Sequence, residues 1–76
     1  MSASLALINF TLVNRAWETL PDAELMAAFQ YYGEALFYAK GMVASASFPK
    51  QCHLIVTNTY DGTQTIVWPP KADATP

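Results

Sequence analysis

The stretch Asp22–Lys40, DAELMAAFQYYGEALFYAK, constrains the fold more than any other. Its ends carry helix signals: Pro21-Asp22 with Glu24 as a start, and Gly41 after Lys40 as a left-handed stop. The Ala and Leu between them are good helix formers. At helical spacing Leu25, Ala28, Phe29, Tyr32, Leu36 and Ala39 share one stripe, widened by Met26, Gly33 and Phe37. The spacing predicts a helix over 22–40 whose apolar arc is wider than one neighbour requires. The opposite arc carries Tyr31, Glu34 and Tyr38. Tyrosine offers a large apolar area and a hydroxyl at low entropy cost, so this line suits contact with a protein partner.

The second strong element is Cys52–Trp68. CHLIVTNT and TQTIVW are strand-like, and between them Tyr60-Asp61-Gly62-Thr63 places Asp-Gly at the centre of a two-residue type I′ turn. That turn predicts Val56 opposite Val67 and Ile55 opposite Trp68. One face of the hairpin holds Cys52, Leu54, Val56 and Val67; the other holds Ile55, Ile66 and Trp68. One helix covers only one face of a small sheet. The second apolar face is expected to meet a loop, the tail or another chain.

Residues 4–14 fit two periods. Ile8 to Leu12 alternates as a strand does, while Leu5, Ile8, Leu12 and Ala16 fit a helix. The strand reading gives a small single α+β domain over 1–70, β-α-β-β, with a mainly antiparallel sheet and one long helix packed on it. The helical reading gives α-α-β-β. Trp17 is placed near the start of the long helix, with Leu20 as a hydrophobic staple. Residues 42–51 read as a loop crossing the sheet, and 71–76 as a disordered polar tail.

Composition then bounds function. The chain has 76 residues, 53% of them hydrophobic and 13% charged, about half the usual charged share. A domain this small does not hide that much apolar surface. One cysteine excludes an internal disulfide, and one Cys with one His is too few for a structural zinc site. No cofactor or metal is expected. The net charge is −2 and the cations Arg15, Lys40, Lys50 and Lys71 are scattered, which argues against nucleic acid. No run of about 20 apolar residues suits a membrane. The N-terminus lacks a basic leader segment, so it is not read as a signal peptide, and a cytoplasmic location is expected. The Asn9-Phe10-Thr11 sequon is therefore read as chance.

Chemistry is sparse. Cys52 and His53 are neighbours in a predicted strand, so they point to opposite faces and form no dyad. Cys52 reads as a small buried hydrophobe and His53 as a strand-end residue at the sheet margin. No pair of acidic residues has a spacing suited to acid–base work, and three glycines make no phosphate loop. The expectation is a non-enzymatic interaction module. It would be an adaptor or inhibitor of the size that phages and mobile elements encode, binding a larger protein through Tyr31, Glu34 and Tyr38 and through Ile55, Ile66 and Trp68. The alternative is a self-assembling structural subunit, a homodimer pairing Trp68 and Ile55 across a two-fold axis.

Overall fold

Two β-hairpins joined by one helix build the chain. The structure, a computed structural model, describes residues 5–70, apart from the side chains of Asp22 and Ala23. The loose terminus expected at 1–4 and the tail expected at 71–76 lie outside the described residues. Strands β1 (Ala6–Val13) and β2 (Thr19–Phe29) precede helix α1 (Tyr32–Ala44), and β3 (His53–Asn58) and β4 (Gln64–Val67) follow it. All pairings are antiparallel and the sheet order is β2-β1-β3-β4. The expected α+β class, with a helix packed on an antiparallel sheet, is what forms. Within the segment read two ways, Ala6–Val13 is a strand, so the α-α-β-β alternative does not.

The helix expected over 22–40 is corrected at both ends. Its first part is the outer strand of a hairpin, with Leu25 opposite Phe10, Ala27 opposite Ile8 and Phe29 opposite Ala6. AELMAAF satisfies a period of 2 as well as one of 3.6, and pairing with β1 decides between them. Leu25, Ala27 and Phe29 thereby share the face of Ile8 and Phe10, while Glu24, Met26 and Ala28 take the other. Between Thr11 and Val13 the register shifts, leaving Leu20–Ala23 as extra length on β2. Pro21 sits in this irregular part of an edge strand, where a missing N–H costs no ladder bond. Leu20 is thus part of a strand and not a staple.

The helix begins at Tyr31, whose backbone N–H donates to the Glu34 carboxylate at 3.3 Å. This is the glutamate half of a capping box, and it puts negative charge on the first turn. The helix runs through Gly41 and stops at Ser45, whose N–H donates to the Met42 carbonyl at 3.2 Å. Ala35, Ala39 and Val43 are buried against the sheet, one turn apart each. Opposite them lie Ile8, Phe10, Leu54, Val56 and Val67. Full burial of Phe10 or Ile8 contributes about 1.5–3 kcal/mol each. The rings of Phe10, Phe29 and Tyr38 meet at centroid distances of 5.5–5.8 Å. The Tyr32 hydroxyl donates to the Val56 carbonyl at 3.0 Å and shares a bond with the Thr65 hydroxyl at 2.8 Å. It ties the helix start to the second hairpin.

That hairpin forms as expected, in a different register. Val56 lies opposite Thr65, Ile55 opposite Ile66 and Leu54 opposite Val67. The loop is four residues long, closed by the Asn58 N–H to the Thr63 carbonyl and the Gly62 N–H to the Asn58 carbonyl, both 2.8 Å. Asn58 Oδ1 accepts from Tyr60 N–H at 2.8 Å, and Asp61 Oδ1 from Thr63 N–H at 2.9 Å. These side chains compete with the ladder and stabilise a wider turn. Gly62 has φ 81°, the left-handed conformation that favours glycine. The Thr63 hydrogen bonds hold the Asp61 carboxyl below its ordinary range.

Candidate functional site: the open face of the sheet

A register error of two residues leaves every side chain on its expected face. The helix covers Leu54, Val56 and Val67, so Ile55, Ile66 and Trp68 lie together on the face that no helix or strand covers among the described residues. Ile55 and Ile66 are cross-strand partners, and Trp68 follows Ile66 on the same face. Trp68 is 59% exposed and Ile66 43%. Across the face, Leu7 and Met26 are also exposed. A polar midline separates the two ends: the Thr11 hydroxyl donates to Asn9 Oδ1 at 3.0 Å, and Gln64 Nε2 to the Thr57 hydroxyl at 3.2 Å.

Trp17 is the residue that the sequence reading missed here. It was expected beside the helix and instead stands over the open face. Its ring meets Trp68 at 6.0 Å and His53 at 4.2 Å between centroids, and His53 meets Trp68 at 4.4 Å. The loop that delivers it is held by Asn14. The Asn14 side-chain oxygen accepts from the Ala16 and Glu18 N–H groups at 2.9 and 3.0 Å, and its amide donates to Glu18 Oε1 at 3.1 Å. Trp17 itself has φ 66°. A bulky residue pays about 1–2 kcal/mol for that left-handed conformation, offset here by its aromatic contacts. Asn14 four residues before Glu18 is the turn signal that marks this loop in the sequence.

His53 is the second correction. It begins a strand, as expected, but it is buried and not marginal, with 1% exposure. Neither ring nitrogen has a hydrogen-bond partner among the described residues. Desolvation lowers its pKa below the ordinary value of 6.5, so the ring is neutral at pH 7. Arg15, Lys50 and Pro69 line the same shallow pocket. Cys52 is buried and free, as expected.

The other expected surface is divided among tasks. Tyr31 caps the helix, Glu34 bonds that cap, and Tyr38 lies against Phe10 and Phe29. Tyr31 and Tyr38 nevertheless remain 62% and 46% exposed. Phe37, assigned in the sequence to the core stripe, is on the outer surface. The correction follows from the later helix start, which moves the buried line to Ala35, Ala39 and Val43. Among the described residues no group of three or more His, Cys, Asp or Glu is placed to hold a metal ion, and no helix is long and apolar enough to cross a membrane.

The fold is a small α+β domain whose helix covers one side of the sheet and, among the described residues, leaves the other open. No protein-family model, no curated protein and no solved structure matches the chain.

Proposed function

We propose that the protein is a non-enzymatic interaction module that binds a larger protein through the open face of its sheet. One observation carries the reading: Trp17, Trp68, Ile66 and Ile55 form a contiguous, partly exposed apolar patch on the uncovered face. Scattered apolar residues at a surface are ordinary; a contiguous aromatic patch edged by polar side chains is the composition of an interface centre. Tryptophan is over-represented among residues that dominate binding energy. Arg15 and Lys50 beside the patch favour a partner with acidic groups at its rim. An adaptor or inhibitor acts by occupation alone, which an apolar patch of this kind is suited to. Tyr31, Glu34 and Tyr38 offer a second, smaller contact at the helix start.

The test is capture from the native host with three proteins: the wild type, Ile66→Lys/Trp68→Lys, and Tyr31→Ala/Tyr38→Ala. A partner retained by the wild type and lost by the sheet-face variant supports the reading. A partner retained equally by a folded Ile66→Lys/Trp68→Lys protein removes it.

A further inference from the structure

We propose that Trp17 is a proton-operated lid on His53: when the imidazole takes a proton, the indole lifts off the open face and the loop tip that carries it turns outward. The starting point is a buried polar ring with nothing to bond. His53 is 1% exposed, and neither of its nitrogens has a hydrogen-bond partner among the described residues. A neutral imidazole tolerates this poorly. An imidazolium, with two N–H donors and a full charge, tolerates it far less. The indole faces of Trp17 and Trp68 attract a cation, but they return less than burial away from every acceptor takes.

The groups around the ring do not supply an opposite charge. Val13 of β1 lies opposite His53 in the ladder and is apolar. The β1–β2 loop brings Arg15 and the segment before β3 brings Lys50; both line the pocket beside the ring, and both are cations. Glu18, the other ionisable residue of that loop, has its carboxylate bonded to the Asn14 amide at 3.1 Å. Cys52 is a buried free thiol, and Trp68, Pro69 and Pro70 close the β4 side without charge. Desolvation already holds the His53 pKa below 6.5. The proton therefore has to be met by water, and water reaches the ring when one of the two indoles moves.

The two indoles are not equally held. Trp68 continues β4 and two prolines follow it, so its backbone is stiff. Trp17 sits in the loop between β1 and β2 with φ 66°. Leaving that left-handed conformation relieves strain for a residue with a Cβ. The Asn14 bonds to Ala16 and Glu18 fasten the loop at its base, so its tip turns while β1 and β2 stay paired. Unfolding takes up the same proton, but lifting one loop tip exposes far less apolar surface and comes first. An open ring binds its proton near pH 6.5 and a closed ring only below it. The lid is closed above that value, and its opening grows about tenfold per pH unit beneath it, down to the closed pKa. Opening removes one wall of the Trp17, Trp68, Ile66 and Ile55 patch. What that does to a partner rests on the reading of the patch as an interface; the opening itself is a property of the chain alone.

NMR of the full chain between about pH 7.5 and about pH 4.5 tests the lid with no partner present. The expected result is loss of the cross-peaks between the His53 and Trp17 rings as His53 titrates. The Trp17 N–H, which donates to the Asn14 carbonyl at 3.0 Å, should exchange about tenfold faster per pH unit, corrected for solvent catalysis, while the amides of β1 and β3 keep their protection. His53→Phe keeps the lid closed at every pH. Trp17→Gly, for which a positive φ carries no penalty, removes the lid and brings the His53 titration up to about 6.5. Ring cross-peaks that persist while His53 titrates mean that the indoles hold the cation, and they overturn the proposal. So does an opening that His53→Phe leaves in place, and so does protection lost in β1 and β3 together with the loop, which is unfolding and not a switch. Should His53→Phe fail to fold, a His53 titration no higher in Trp17→Gly than in the wild type overturns the proposal by itself.

Discussion

Neither nitrogen of the His53 ring finds a partner among the described residues, and two indoles close over it. Burial makes its protonated form the costly one, so its folded pKa lies below 6.5. The unfolded chain then takes up a proton near pH 6.5 that the folded chain refuses. Stability is complete above that value and is lost as pH falls from it towards the folded pKa. The melting temperature should therefore drop between about pH 7 and pH 5, ahead of the carboxylate range. His53→Phe should flatten that drop; an unchanged slope in the variant would assign the proton elsewhere. Tyr32 ties the helix to the second hairpin through its hydroxyl. Tyr32→Phe removes the bond to the Val56 carbonyl and should cost about 1–2 kcal/mol in denaturant unfolding. A loss below about 0.3 kcal/mol would mean that water replaces the hydroxyl fully.

At the scale of elements, the helix sits on the sheet through Ala35, Ala39 and Val43, which bring its backbone close. Ala39→Leu forces it outward and should destabilise by about 1–3 kcal/mol, as overpacking does. An unchanged urea midpoint would show slack at that contact. The same elements explain what was legible. The second hairpin was readable because Thr, Ile and Val alternate around Asp61-Gly62, and its faces survived a register error because side chains repeat every two residues. Strand β2 was not readable. Leu25, Ala27 and Phe29 fit a strand face, and Leu25, Ala28 and Phe29 fit a helix face equally well. Only the partner strand, distant in sequence, breaks that tie. The true helix start carried a weak signal, because tyrosine is not a habitual cap and only Glu34 marks it.

For the molecule as a whole, the class was legible from its apolar surplus and its second hairpin, and so was the existence of a bare sheet face. The residue that completes that face, Trp17, depends on a left-handed backbone that no periodicity reports. Trp68→Lys tests the open face as a whole. Loss of a captured partner with an unchanged mass in solution assigns the face to a different protein. A fall from dimer to monomer assigns it to a second copy, with Trp68 and Ile55 paired across a two-fold axis.

Trp17 and Trp68 are the only tryptophans in the chain, and both stand against His53. The tryptophan emission of the whole molecule therefore arises at one corner of the open face. The protein carries its own optical label there: a partner seated on the patch, or a proton taken by the histidine, alters the entire tryptophan signal. Events at Phe37, on the far side of the helix, leave it silent. A single spectrum separates the two sides of the domain with no dye attached.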